Sequence, residues 1–273
     1  MSDYGAAHRI LGALIEARTG QQLLPSRAWR IDTALRPLMR ELDCVSLDAL
    51  TARLSVGDFS LATRVVEALL NNETSFFRDR EAFAALARDV LPALTQARPF
   101  KKLNIWSAGC STGQEPYSLA MTAADSPQLK DWDVSIVATD VSAEAIAQGK
   151  AGRYTRFEIQ RGLPIRQMLR WFREEGEEWH ASLDLRRRVR FQQHHLFDPP
   201  PGRFDLILCR NVLMYFSAVD RARGFDRMSA ALAPGGLLIL GAGETVLGQT
   251  SHFRPHPTLK GCYAAKETLS AAA

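Results

Sequence analysis

The sequence predicts an α/β protein: an open, mostly parallel sheet in the later two thirds of the chain, preceded by a segment built from helices alone. Three observations carry this. Leu103, Ile105 and Trp106 form an apolar run that breaks into Ser107-Ala108-Gly109-Cys110-Ser111-Thr112-Gly113, after which Gln114-Glu115-Pro116 opens a buried-helix composition from Tyr117 to Met121. Strand, small-residue turn and helix start in that order are how open sheets receive a nucleotide-like ligand at a strand's carboxyl end. The small residues let the ligand reach the backbone. Second, Asp133 to Thr139 reads as another buried strand, ending in Asp140. Third, Phe204 to Cys209 and Leu237 to Leu240 are further apolar runs of strand length, the first followed by Arg210-Asn211 and the second preceded by the tight turn Ala233-Pro234-Gly235-Gly236.

Composition bounds the answer. A chain of 273 residues, 46% apolar, can bury one good core plus a smaller accessory domain. A formal charge of +4 gives no whole-molecule case for nucleic-acid binding, although Arg186-Arg187-Arg188-Val189-Arg190 is locally dense. No apolar run approaches membrane-spanning length and the amino terminus lacks a signal-peptide pattern, so a cytoplasmic protein without membrane insertion is expected. Cys44, Cys110, Cys209 and Cys262 are widely spaced, which fits reduced thiols packed as small hydrophobes.

In chain order, residues 1–70 are expected to form a helical domain. Ile10, Leu11, Leu14 and Ile15 share one apolar face. Ser26 can cap a second helix with Ala28, Ile31, Leu35, Leu38 and Leu42 on one stripe, Arg36 and Arg40 pointing away from it, and Pro37 predicting a kink. Ser46 to Leu54 and Ser60 to Leu70 follow as amphipathic helices. Residues 71–98 make a linker block and connecting helix: Asn71-Asn72-Glu73-Thr74-Ser75-Phe76-Phe77-Arg78-Asp79 is too aromatic for a plain linker and reads as a wall over a ligand, and the helix from Glu81 to Leu94 ends near Pro99. Residues 99–273 hold the sheet. Within them Ser142 caps the helix Ala143 to Lys150, leaving Asp140 free for another task. About residues 165–193, with Glu174-Glu175-Gly176-Glu177 as a hairpin tip and Arg188 to Gln192 as an alternating strand, form a small antiparallel insertion. Phe225 to Leu232 is helical, Tyr263 closes the last strand, and the tail from Thr268 is expected to be disordered.

Four features converge on the sheet's carboxyl edge: the Gly109 to Gly113 turn, Asp140, His195-Leu196 and Arg210-Asn211. None is a catalytic triad, and no metal site is expected, since Pro255 and Pro257 preclude the helix that would align His252 with His256. Cys110 and Cys209, lacking a paired base, read as packing residues. The turn lacks the third glycine that a dinucleotide pyrophosphate requires. A sulfonium ligand carries no phosphate and tolerates a nearby carboxylate such as Glu115, so the comparison favours S-adenosylmethionine over a nicotinamide dinucleotide.

Over roughly residues 5–265 the chain resembles the bacterial chemotaxis receptor methyltransferases, the CheR family. The most specific pieces are Asn72-Glu73-Thr74-Ser75-Phe76-Phe77-Arg78 and the run from Trp106 to Tyr117. Ala138-Thr139-Asp140-Val141 and Cys209-Arg210-Asn211-Val212-Leu213-Met214-Tyr215-Phe216 add two more blocks in the same order. The resemblance implies an all-α amino-terminal domain and a Rossmann-like, S-adenosylmethionine-dependent methyltransferase domain with a small antiparallel β-subdomain. It implies cofactor contacts from Asn72, Thr74, Arg78, Glu115, Asp140, Arg210 and Asn211. The family's Asn-Leu pair aligns with His195-Leu196, so the histidine is a departure. Arg78 and Tyr215 carry over as candidates beside the transferring methyl.

The implied reaction is methyl transfer to glutamate side chains on the cytoplasmic helices of chemoreceptors, leaving S-adenosylhomocysteine. A glutamate, with an ordinary pKa of about 4.3, is already the nucleophile at neutral pH. Positioning of oxygen, carbon and sulfur in line can then supply roughly 7–11 kcal/mol. The resemblance also implies that Arg36 and Arg40 meet the acidic receptor helices, and that the β-subdomain of some members holds a carboxyl-terminal receptor pentapeptide. Competing readings are a non-catalytic module that binds S-adenosylmethionine or S-adenosylhomocysteine, a methyltransferase of small molecules or nucleic acid, and a receptor methyltransferase of a non-flagellar chemosensory pathway.

Overall fold

The computed structural model describes residues 5–23, 29–96, 98 and 100–266; Ser26, Ala28, Pro99 and the tail from Thr268 lie outside them. The chain divides into two compact units. The first runs to Asn71 and takes in Tyr215–Asp220; the second holds Asn72–Met214 and the chain from Arg221 onward.

The first unit is helical: α1 (Ala6–Thr19), α2 (Trp29–Glu41), α3 (Leu47–Ser55) and α4 (Phe59–Leu69). Its core is made by Leu11 and Ile15 of α1, Ile31, Leu35 and Leu38 of α2, Leu50 of α3, and Val65 and Leu69 of α4. Ile10 is about half exposed; the inward stripe of α1 is instead Ala7, Leu11 and Ile15, at the i, i+4 spacing of one helix face. Ser46 caps α3 by accepting the Ala49 N–H, and Asp58 caps α4 by accepting that of Leu61. Pro37 lies inside α2, and Arg36 and Arg40 are exposed.

The second unit opens with the linker block and then α5 (Arg80–Ala85), which passes through a π turn at Leu86–Val90 into α6 (Leu91–Gln96). The sheet follows: β1 (Lys102–Ala108), α7 (Gln114–Asp125), β2 (Asp133–Asp140) and α8 (Ala143–Ala151). A detour through β3 (Arg153–Thr155), α9 (Arg156–Gln160), α10 (Ile165–Trp171), β4 (Phe172–Glu175), β5 (Glu178–Ala181) and α11 (Leu183–Arg186) leads back to β6 (Val189–Gln193). The chain continues with β7 (Phe204–Cys209), α12 (Ala218–Ala231), β8 (Leu232–Leu240), β9 (Phe253–Pro255) and β10 (Cys262–Ala265). The large sheet has the order β6-β2-β1-β7-β8-β10-β9, with β6, β2, β1, β7 and β8 parallel and β10 inserted antiparallel. Central β1 has β2 on one side and β7 on the other, so the strand order reverses there and a crevice opens at the carboxyl ends of these strands.

The small antiparallel sheet has the order β3-β5-β4. Its extent differs from the expected 165–193. The three residues of β3 lie upstream, and the strand expected at Arg188 to Gln192 belongs to the large sheet, paired parallel with β2. Val189 and Phe191 are buried while Arg190 and Gln192 are exposed. That alternation marks an edge strand and does not by itself say which sheet owns it. The two sheets share a core in which buried Phe76 makes edge contacts with Tyr154 of β3 and Phe172 of β4 at 5.1 and 5.5 Å between ring centroids.

Candidate active site

The carboxyl ends of β1, β2, β7 and β8 are joined by three carboxylates. After β1 the turn passes through positive φ at Gly109, Ser111 and Gly113, a path that points successive N–H groups toward the end of β2. Gly109 and Cys110 donate to the Thr139 carbonyl at 2.8 and 2.9 Å. At Gly109 the conformation and the packing both demand glycine, because a Cβ there would lie 2.3 Å from Val212 Cγ2. Asp140 holds the turn from the other side: one oxygen accepts the Ser111 N–H at 2.8 Å and the other the Ser142 N–H at 3.0 Å. Ser142 in turn caps α8 by accepting the Ala145 N–H.

Glu115, in the first turn of α7, accepts from Ser107 Oγ at 2.8 Å and pairs with Arg210 at 3.2 Å. The Arg210 side chain is 2% exposed; it also donates to the Arg78 carbonyl at 3.0 Å, reaches Asp79 at 3.3 Å and lies over the Phe83 ring. The linker block is thereby fixed to the strand ends. Ser111 Oγ donates to the Asn72 carbonyl at 2.7 Å, and the Phe77 N–H donates to Ser118 Oγ at 2.9 Å. Phe77 and Asp79 take positive φ without being glycine, which only such surrounding contacts sustain.

The third carboxylate, Glu244, had no motif to announce it. Its two oxygens accept four backbone N–H groups: Asn211 at 2.7 Å, Gly241 at 2.9 Å, Val212 at 3.0 Å and Met214 at 3.3 Å. It therefore holds the loop after β7, including Asn211 at φ +61, to the end of β8. The only hint in the sequence is its place just beyond an apolar strand, in Gly241-Ala242-Gly243-Glu244.

Of the expected site residues, Asn72, Arg78, Glu115, Asp140, Arg210 and Asn211 are drawn into this one network by the bonds above. Thr74 is half-buried in the linker block. His195 accepts the Phe197 N–H at Nδ1, 3.2 Å, and stacks edge-on against Phe197; Leu196 lies over Gly224 of α12. Tyr215 falls in the first unit, where its hydroxyl accepts from Asn71 Nδ2 at 2.6 Å and Asn71 Oδ1 accepts from Arg30. All four cysteines are free and buried. Burial pushes the Cys110 and Cys209 thiols well up, which keeps them protonated and suits packing.

The description "CheR methyltransferase, SAM binding domain" matches residues 72–262. The chain belongs to the CheR methyltransferase family. It is similar to "Chemotaxis protein methyltransferase 1" of Pseudomonas aeruginosa, at 36% identity over 93% of this chain and 95% of that one. It is similar to "Chemotaxis protein methyltransferase" of Vibrio parahaemolyticus at 36%, covering 90% and 91%. A third relative, "Chemotaxis protein methyltransferase Cher2" of Pseudomonas putida, is 35% identical, with 88% and 90% covered. The protein is a methyltransferase with a Rossmann-like sheet, and S-adenosylmethionine is its cofactor. The strand-end chemistry fits that ligand: Asp140, Glu115 and Glu244 stand at the strand ends, where the buried Arg210 is already paired with Glu115, a setting that suits a sulfonium cation.

Proposed function

We propose that this chain transfers methyl groups to glutamate side chains on the cytoplasmic helices of chemoreceptors, in a flagellar or another chemosensory pathway, and that it acts in the cytoplasm. The observation that carries this reading is Arg78. Its backbone is locked to the buried Arg210, while its side chain is 35% exposed and its guanidinium pairs with the Glu73 carboxylate at 3.2 Å. It thus stands at the strand-end network already holding the kind of group that an acidic side chain from solvent would bring. The names of the chemotaxis relatives supply the class of protein that delivers such a side chain.

On this reading Asp140 holds the ribose hydroxyls, while Asn72, Thr74, Glu115, His195, Leu196 and Asn211 line the rest of the cofactor's pocket. Arg210, neutralised by Glu115, props the linker block and keeps Arg78 in reach. When bound, the donor would supply an electrophilic methyl group to the ionised glutamate oxygen and would leave as neutral S-adenosylhomocysteine. An anion and a cation become two neutral products, so the residues' task is to keep water out and align the partners, with no base required. Arg78 orients the carboxylate, and Tyr215 is the further residue proposed to serve the transfer. Arg36 and Arg40 meet the acidic receptor helices, and the edge of the small sheet is the place for a receptor's carboxyl-terminal pentapeptide.

Calorimetric titration with S-adenosylhomocysteine tests the pocket. Wild type is expected to bind in the micromolar range, and Asp140→Ala to lose about a hundredfold, as for two charge-assisted hydrogen bonds. A folded wild type that does not bind would sink the assignment of this crevice. Replacing Tyr215 by Phe tests its role, which is abandoned if full activity survives.

A further inference from the structure

The linker block carries a carboxylate site already filled by the chain itself. Glu73 Oε2 pairs with Arg78 Nη2 at 3.2 Å, and Arg78 Nη1 donates to the Glu73 carbonyl at 3.1 Å. Arg161, from the turn after α9, pairs with the other oxygen of the same carboxylate. Two guanidiniums thus share one glutamate, leaving one positive charge in excess. The three side chains are 35–44% exposed. Ion pairs this open add little to folding stability, so stability does not explain the cluster, and it opens at small cost.

Arg161 is nevertheless placed by the fold. Gly162, next to it, sits at φ +93 with its Cα so close to the linker that a Cβ would lie 2.1 Å from the Phe76 carbonyl oxygen. Phe76 itself is buried against Tyr154 and Phe172 of the small sheet. The turn bearing Arg161 is therefore seated on the linker block.

We infer that Arg161 joins Arg78 in receiving the substrate carboxylate, and that Glu73 occupies their forks between encounters and is displaced by the incoming glutamate. This rests on the function proposed above. Glu73 also solves a chemical difficulty. Two free guanidiniums would stabilise the ionised substrate more than a transition state in which its charge is vanishing, and so would slow the transfer. A competing internal carboxylate weakens that hold. Once the product is a neutral ester, it has nothing to set against Glu73, which returns to the arginines and helps it leave.

The test is steady-state methylation by the full chain, with methyl-tritiated S-adenosylmethionine and a purified soluble cytoplasmic-helix fragment of a methyl-accepting chemoreceptor from the same genome. Alkali-labile label identifies the ester. Arg161→Gln is expected to raise KM for the fragment about three- to tenfold with kcat not lowered and rising by at most the same factor, Arg161→Lys recovering part of the loss in affinity. Direct titration of the fragment should weaken in parallel, with S-adenosylhomocysteine affinity unchanged. Glu73→Gln should lower KM and kcat together. An unchanged KM in Arg161→Gln, or a parallel loss of S-adenosylhomocysteine binding, overturns the inference and leaves the proposed function standing. If wild type places no alkali-labile label on the fragment, the proposed function itself fails and the inference with it.

Discussion

Glu244 settles more backbone than any other single side chain at the strand ends, and removing it would leave four N–H groups to find new partners in a half-buried loop. Glu244→Ala is expected to cost about 2–4 kcal/mol in denaturant unfolding. It should also weaken S-adenosylhomocysteine binding, because the loop it pins carries Arg210 and Asn211. Glu244→Gln keeps one acceptor oxygen but turns an NH2 toward donors, so it should recover only part of both losses; full recovery would mean that the charge is irrelevant. Gly162 is a second residue whose replacement has a calculable consequence. Alanine there meets both a left-handed backbone and the Phe76 oxygen, and Gly162→Ala should destabilise by roughly 2–3 kcal/mol. A neutral result in the same unfolding measurement would show that the linker can withdraw from the turn.

At the scale of elements, the parallel strands were legible because nothing interrupts them. Every residue of β7 is buried, and β1 and β2 carry unbroken buried runs toward their carboxyl ends, so each reads as a short continuous apolar segment. Asp140 was legible for the same reason, as the polar residue on which such a run stops. What tertiary pairing decides was not legible. The sequence of β6 is compatible with either sheet, β3 is too short to show a period, and the bond between Arg161 and Glu73 spans 88 residues. Glu244 was hidden in the same way, since three of its donors lie about 30 residues upstream. A further long-range device works at the opposite end of the sheet. Asp205, at the start of β7, accepts the Asn104 N–H of β1 at 2.8 Å and pairs with Arg98 at 3.0 Å, the two side chains being 10% and 16% exposed. Asp205→Ala leaves a buried guanidinium without its counter-charge and is expected to cost roughly 3–5 kcal/mol in unfolding free energy. Because Arg210 follows the other end of the same strand, S-adenosylhomocysteine affinity should hold in the folded fraction; a matching loss of affinity would show that the strand transmits the damage.

For the whole molecule, charge sets two behaviours with different ranges. The short-range one is alkaline stability. Burial raises the Cys262 thiol from 9.0 to about 11, and the Cys110 and Cys209 thiols and the Tyr154 hydroxyl well up. The folded state therefore keeps protons that the unfolded chain gives up. The stability linked to Cys262 is complete below about pH 9 and is lost as pH rises through about 11. Melting temperature should accordingly fall across that window, and a flat profile would mean that the buried thiols ionise in place. The long-range behaviour is attraction to an acidic partner. Arg36 and Arg40 are exposed on α2, opposite the buried Ile31, Leu35 and Leu38. Replacing both with alanine takes the formal charge from +4 to +2, since 34 basic residues become 32 against 30 acidic ones. If this face steers the receptor helices, Arg36→Ala/Arg40→Ala should slow methylation of a receptor fragment at low salt. The deficit should close as ionic strength rises and the screening length falls to about 3 Å near 1 M. S-adenosylhomocysteine affinity should be untouched throughout. A deficit that persists at high salt would point to lost contacts in place of lost steering, and equal loss of methylation and cofactor binding would point to misfolding of the variant.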